Sequence, residues 1–328
     1  MMNTLILESN KALIKEKIIN NITIVDEKQK ETYTYITYAI LYSIEALRNN
    51  DSLIIKHYLH WMHSTLSHDG IDESTLKTIF EHLKSSFLAL ENASQKIFNF
   101  EYDDVLNIQT IYGSTHLNKD AKMYLGLILD RKRHEAADYI KGLLQKGYEI
   151  PEIYNDIMTP VLYEVGWLWQ QNKITTADEH LATAITQYVM TTLYEQIFSS
   201  RKNKKKVLGA AIGSELHEIG IRMIIDMFEY IGYNTHYLGG NMPSEAFVSH
   251  VKKYQPDIIL ISVTLSLYLR DLYETIQAIK KDPALKHIKI LVGGQPFIQN
   301  PKLYQSYDAD GYAKNAKDAI KVGESLVK

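Results

Sequence analysis

Between positions 213 and 220 the chain reads Gly213-Ser214-Glu215-Leu216-His217-Glu218-Ile219-Gly220, with an imidazole two residues after a carboxylate and three before a glycine. A neutral imidazole in a loop is a good metal ligand, and a carboxylate that accepts its second N–H fixes the tautomer and raises ligand basicity. His217 is therefore the candidate ligand and Glu215 the candidate acceptor behind it. The same residues also suit a loop histidine that simply pairs with a glutamate, and alone they favour that plainer account. Further on, small residues recur wherever an apolar run ends: Leu238-Gly239-Gly240-Asn241-Met242-Pro243, Ser262-Val263-Thr264-Leu265-Ser266, Gly293-Gly294 and Ala309-Asp310-Gly311-Tyr312-Ala313. Small residues let backbone approach a large ligand closely, and the hydroxyls of Ser262 and Thr264 can hydrogen-bond within a slot. Each signal by itself is ordinary turn chemistry.

The elements that must position these loops follow from periodicity. From Val207 onward, short β-rich runs alternate with amphipathic helices: VLGAAI, a helix to Tyr230, THYL, a helix through Val251, DIILISV, a helix through Lys280, IKILVGG and a final helix. That alternation predicts a parallel, doubly wound α/β sheet, whose ligands sit beyond the carboxyl ends of the strands. Between Lys119 and Ser199 four helical patterns recur, broken near Arg133, at 147–151 and around 172–176, the spacing of a four-helix bundle. Residues 10–98 are also helical in rhythm; Leu76, Ile79, Phe80, Leu83, Phe87 and Leu90 share a face after a cap at Asp72. Residues 100–118, with Gly113, Ser114 and Thr115, form one linker, and the charge run Arg201-Lys202-Asn203-Lys204-Lys205-Lys206 a second. The expected domains are 1–118, all helical; 119–200, the bundle; and 201–328, the Rossmann-like sheet domain.

Together E-x-H-x-x-G, the L-G-x-x-x-P loop, S-x-T, the glycine pair and ADGYA resemble the cobalamin-binding domains of methionine synthase, mutases and corrinoid proteins, over Val207 to the C-terminus. The resemblance implies base-off binding, in which His217 replaces the cofactor's own base as the lower axial ligand of cobalt. It also implies a deep slot for the nucleotide tail, and the matching positions are Glu215, Gly220, Leu238, Ser262, Thr264, Gly293 and Gly294. Glu215 stands where the family motif has Asp, which lengthens the arm and keeps the acceptor.

A bundle ahead of such a domain resembles the cap that covers the upper face of the corrin. Trp169, nine residues, then Glu179 and His180 resemble the cap of cobalamin photoreceptors of the CarH and LitR kind. That resemblance implies an adenosylcobalamin light sensor, with Trp169 and Glu179 holding the adenosyl group and His180 taking cobalt once light has broken the cobalt-carbon bond. Photolysis would then rearrange the cap and change a dimer or tetramer, or the activity of a downstream signalling protein. The alternative is a corrinoid methyl carrier of a methyltransferase system, which shares the lower half of the site. Neither is itself an enzyme.

The first domain departs from the DNA-binding module of CarH-like repressors, having neither its basic character nor a compact turn between short helices. With 36 Lys+Arg against 39 Asp+Glu there is no large basic field, and no DNA binding is expected. Tyr35, Tyr38 and Tyr42 share one helical face, and His57, His60, Trp61 and His63 cluster on the next. One reading is a docking or dimerisation domain with an aromatic core; the other is a second chromophore pocket, which resembles photocobilins and implies biliverdin, with heme a weaker third. The chain has no cysteine, so biliverdin would bind noncovalently, and disulfides and thiolate sites are excluded. Length 328 and 45% hydrophobic residues allow two or three cored domains. No apolar run approaches the roughly 20 residues of a membrane span, and the start MMNTLILESNKALIKEK lacks a signal core, so a cytoplasmic protein is expected.

Overall fold

The computed structural model describes residues 4–24, 26–90, 94–108, 116–198 and 205–327. The expected linker residues Gly113, Ser114 and Thr115 and most of the charge run, Arg201 to Lys204, lie outside the described residues. The chain divides into two compact units, Met1–Ser114 with Trp167–Thr175, and Thr115–Gly166 with Thr176–Lys328. Among the described residues no helix is long and apolar enough to cross a membrane.

The first unit is helical: α1 (Thr4–Ile19), α2 (Asp26–Asn49), α3 (Ser52–His68), α4 (Glu73–Leu88), α5 (Ser94–Ile97) and α6 (Tyr102–Leu106). Carboxylates start two of them, for Asp51 accepts from Leu53 N at 2.9 Å and Asp72 accepts from Thr75 N at 2.9 Å. Each bond satisfies one of the free N–H groups of a first helical turn. Leu76, Ile79, Phe80, Leu83 and Phe87 are all buried, on the face the periodicity marks.

The aromatic residues of this unit pack on one another. Tyr42 stacks on Tyr58 at 4.2 Å, Trp61 meets Tyr35 at 5.4 Å, and Trp169 stacks on Trp61 at 6.1 Å with 30° between the rings. Three of the histidines have explicit surroundings: His60 Nδ1 lies 3.0 Å from the Val105 carbonyl, His63 Nε2 is 3.0 Å from Glu73 Oε2, and burial lowers His57 to about 4. Tyr38 differs from its helical neighbours in staying 42% exposed.

The second unit begins with α7 (Lys119–Leu129) and α8 (Arg133–Gln145). Next come α9 (Ile150–Glu152), a π-helical turn over Ile153–Met158, α10 (Thr159–Gln170), whose last residues belong to the first unit, α11 (Thr176–Thr191) and α12 (Tyr194–Ile197). It continues as β1 (Lys206–Ala211), α13 (Ile219–Tyr230), β2 (Asn234–Tyr237), α14 (Ser244–Tyr254), β3 (Ile258–Ser262) and α15 (Leu269–Lys281). The last elements are β4 (Lys289–Gly293), α16 (Gln295–Gln299), α17 (Leu303–Ser306), β5 (Gly311–Ala313) and α18 (Ala316–Leu326). The strands are all parallel in the order β2-β1-β3-β4-β5, with Val207 opposite both Thr235 and Ile258. Successive connections leave β1 and β3 in opposite directions, so the crevice of this doubly wound sheet opens outside their carboxyl ends. The loops that begin after Ala211 and Ser262 therefore face each other.

Buried polar contacts join α13 to the helices before the sheet. Tyr154, fully buried in the π-helical turn, donates to Asp226 Oδ2 at 3.0 Å, and Arg222 donates from Nε and Nη2 to Tyr194 Oη at 2.9 and 2.5 Å. Burial pushes the Asp226 carboxyl up to about 6; the Tyr154 bond and the Arg222 charge oppose it, and Glu229 adds to it. Because the folded state holds this proton more tightly than the unfolded chain, stability is full below the unfolded pKa of about 4 and is lost as pH rises through about 6.

Asp226→Asn removes that loss, and its melting temperature should exceed wild type at pH 8 yet match it below about pH 4, the gain at pH 8 being about 3 kcal/mol. A parallel decline of both proteins between pH 4 and 8 would contradict the assignment. Trp169→Ala should lower stability by about 2–3 kcal/mol through lost burial and stacking on Trp61, read by urea unfolding.

Candidate functional site

The loop after β1 turns on a buried carboxylate. Glu215 is fully buried, and its side chain accepts four hydrogen bonds: from His217 N at 3.0 Å and His217 Nδ1 at 2.5 Å to Oε1, and from Thr264 N and Leu265 N, each at 2.8 Å, to Oε2. Burial acts to raise its pKa, but the bond and charge of His217 and the backbone amides overcome it and hold the carboxyl below its ordinary value. The group is thus a carboxylate that can only accept, so His217 Nδ1 carries the proton. The Glu215 bond raises the imidazole above its ordinary pKa against the opposing effect of burial, helped by the charges of Glu215 and Glu179.

The result is an oriented ring with one nitrogen free. His217 Nε2 makes no hydrogen bond among the described residues, and the side chain is 58% exposed. Beside it Leu216 is 74% exposed, an apolar side chain that a broad apolar ligand would cover. Glu218 Oε2 accepts from Gly240 N at 2.7 Å and from Tyr237 Oη at 3.0 Å, and the Glu215 carbonyl accepts from Asn241 N at 2.7 Å. The loop after β2 is thereby tied to the loop after β1. On α11, Glu179, Thr183 and Gln187 follow at helical spacing; Thr183 donates to Glu179 at 3.0 Å and Gln187 donates to Glu218 Oε1 at 3.3 Å.

Glycine is required where these loops meet. A Cβ on Gly294, which has φ +107°, would stand 1.9 Å from the Val263 carbonyl, and one on Gly240 would stand 2.9 Å from the Glu215 carbonyl. Val263 N donates to the Gly293 carbonyl at 3.0 Å, continuing the contact of β3 with β4. An oriented imidazole with a free Nε2, an exposed apolar neighbour and close backbone approaches suit a large metal-centred ligand such as a corrinoid.

The structure brings Glu215, His217, Thr264, Gly293 and Gly294 to one end of the sheet, where Ser262 closes β3 and Leu238 N donates to the Gly209 carbonyl at 2.9 Å. Gly220 lies in the first turn of α13, and a Cβ there would meet nothing within 4 Å. His180, 3.4 Å from Glu179, has a side chain 74% exposed, while Trp169 belongs to the first unit and stacks on Trp61. Thr264 acts through its backbone N–H toward Glu215, where sequence reasoning looked to its hydroxyl. Glu218, Gly240, Asn241 and Leu265 stand in the loops that the sequence marks but are given no role there, and Gln187 on α11 was missed. Backbone donors leave no trace in residue type, and nothing local marks Gln187.

The B12 binding domain family matches residues 205–321, and a second B12 binding domain family matches residues 121–194. The dimethylamine corrinoid protein 2 of Methanosarcina acetivorans is 22% identical over 195 residues, 58% of this chain and 89% of that protein. A corrinoid protein of Desulfitobacterium hafniense is 26% identical over 59% of this chain and 84% of its own length. The solved monomethylamine corrinoid protein of Methanosarcina barkeri superposes with a TM-score of 0.56 at 17% identity, covering 62% of this chain and 96% of that one, a likeness of fold.

These relatives correct the expectation of a light sensor. Proteins that align with more than half of the chain carry the names of corrinoid proteins, several of them dimethylamine corrinoid proteins, so light sensing, with its signalling output, is set aside. The spacing of Trp169 to Glu179-His180 is the feature that resembles a photoreceptor cap, and the Trp169 ring stacks on Trp61, a packing role that the same spacing allows. The relatives' names are not those of enzymes, in agreement with a chain that is not itself one. The chain carries B12-binding domains over residues 121–194 and 205–321, has corrinoid proteins as homologues, and binds cobalamin.

Proposed function

We propose that this protein is the corrinoid methyl carrier of a methyltransferase system, with a methylated amine as the class of methyl donor. The observation that carries the reading is the similarity to dimethylamine corrinoid proteins over 58% of the chain and up to 96% of the relative. The cofactor, when bound, supplies a cobalt centre that accepts a methyl group and gives it up. The chain's own residues hold and orient it.

His217 Nε2 would hold the cobalt, its tautomer fixed by Glu215, whose charge makes the imidazole a stronger donor. Thr264 and Leu265 keep that charge in place through their N–H groups. Gly293 and Gly294, with Ser262 and Leu238, line the slot for the tail. The helices of the second unit ahead of the sheet would cover the bound cofactor, and the Glu179 charge on α11 acts on His217. The partner is a methyltransferase that must reach the upper face, so this cover has to move aside. The adenosyl group and biliverdin have no part in this reading.

Loaded with cobalamin, the wild-type protein should show the base-off, His-on absorption spectrum, and His217→Ala should lose it. Supplied with isotope-labelled methylamines, a reductant and a methylamine methyltransferase, the wild type should retain label on the protein and His217→Ala at least ten-fold less. A wild-type protein that binds cobalamin but takes no label from mono-, di- or trimethylamine would overturn the carrier reading. Glu215→Ala strands two buried N–H groups and should cost about 2–4 kcal/mol of stability, measured by urea unfolding of the cofactor-free protein.

A further inference from the structure

Gln295 is the first residue of α16 and follows Gly293 and Gly294 at the end of β4. Its side chain is 8% exposed, and Oε1 is buried with no hydrogen-bond partner; among the described residues it is the one such side-chain atom in the second unit. Amide oxygens are strong acceptors, and leaving one buried and unpaired shifts the folding equilibrium against the native state by roughly ten-fold. The flanking Pro296 and Phe297 are buried, so an apolar side chain would suit this position better if packing were its purpose.

The location says what the oxygen awaits. Gly293 accepts from Val263 N, Gly294 lies against the Val263 carbonyl, and the next residue, Thr264, donates its N–H to the carboxylate that holds His217. Gln295 therefore continues the backbone that closes the carboxyl end of β3 and β4, where a doubly wound sheet takes its ligand. We propose that Gln295 Oε1 accepts a hydrogen bond from an N–H or O–H group of the bound corrinoid, making Gln295 a determinant of cofactor affinity and selectivity. This rests on the reading of the chain as a cobalamin binder. Three parts of a corrinoid carry such donors: the ring carboxamides, the ribose hydroxyls of the nucleotide tail, and a lower base with an amino or hydroxyl group.

The test compares wild type with Gln295→Leu, close in volume but without the acceptor, in two measurements. Without cofactor, the variant should melt a few degrees higher, because an unpaired buried oxygen has gone. By calorimetric titration it should bind corrinoid about ten-fold more weakly, because a buried hydrogen bond has been lost. Opposite signs mark a ligand acceptor, whereas a packing residue loses on both counts. Titration with cobalamin, with cobinamide, which lacks the base, and with a corrinoid carrying adenine as its base separates the sources. An equal loss for all three assigns the donor to the ring carboxamides, a loss for both tail-bearing corrinoids but not cobinamide assigns it to the ribose hydroxyls, and a loss confined to the adenine form assigns it to the base. Gln295→Met serves as a second variant if the leucine branch disturbs packing. Equal affinity of wild type and variants for all three ligands would overturn the proposal, as would a lower melting temperature without cofactor. Failure of the wild type to bind any of them would instead remove the cofactor reading itself, and this inference with it.

Discussion

A carboxylate with no solvent access organises the cofactor end of the sheet. Removing an ionised carboxyl from water is costly by several kcal/mol unless its oxygens are bonded, and Glu215 meets that requirement with four N–H donors. Two of the donors belong to the loop after β1 and two to the loop after β3, so the charge can be kept only if both loops hold their conformation. The imidazole of His217 is the one donor that also offers a free nitrogen to a ligand. Orientation of the metal-binding group and closure of the crevice are thus consequences of one electrostatic constraint. Glutamate in place of the family's aspartate has the reach to take both amides of the β3 loop while still meeting the ring.

The same loop is linked outward through Glu218, whose carboxylate is shared by Gly240, Tyr237 and Gln187. Gln187 lies on α11 with Glu179, so one of the helices ahead of the sheet reaches the site through a 3.3 Å hydrogen bond to Glu218. Farther from the site, the contact between those helices and α13 is of another kind: Tyr154 and Asp226 are both buried, and Arg222 is held by Tyr194. One contact between these helices and the sheet side is thus buried, at Tyr154 and Asp226, and the other, at Gln187 and Glu218, is partly buried.

The sequence carried the sheet domain well because its signals are local. Apolar runs such as IILIS and ILVG are bounded by glycine or hydroxyl residues, and four of the five strands lie where such runs lie, whereas β5 falls within ADGYA, which reads as a loop. The breaks between helices at residues 147–151 and 172–176 were legible for the same reason, Gly147 and Asn172 both adopting positive φ. The ligand pair Glu215 and His217 was visible as spacing. What spacing could not reveal was the set of partners that keep Glu215 ionised, since amide donors from Thr264 and Leu265 come from backbone that any residue supplies. Nor could it reveal Gln295, whose significance lies in having no partner.

The misleading signal was the one that crossed a helix break. Glu215 and His217 sit in one loop, where two residues of separation leave the side chains little choice but to meet. Trp169 and Glu179 are separated by the end of α10 and the start of α11, so nine residues of sequence fix no common site. In the folded chain the Trp169 indole stacks on Trp61. A tryptophan at that position satisfies the photoreceptor spacing and a packing role equally well. A residue pattern constrains chemistry only to the extent that the backbone between its members is itself constrained, and on that measure the single-loop motif deserved more weight than the longer one.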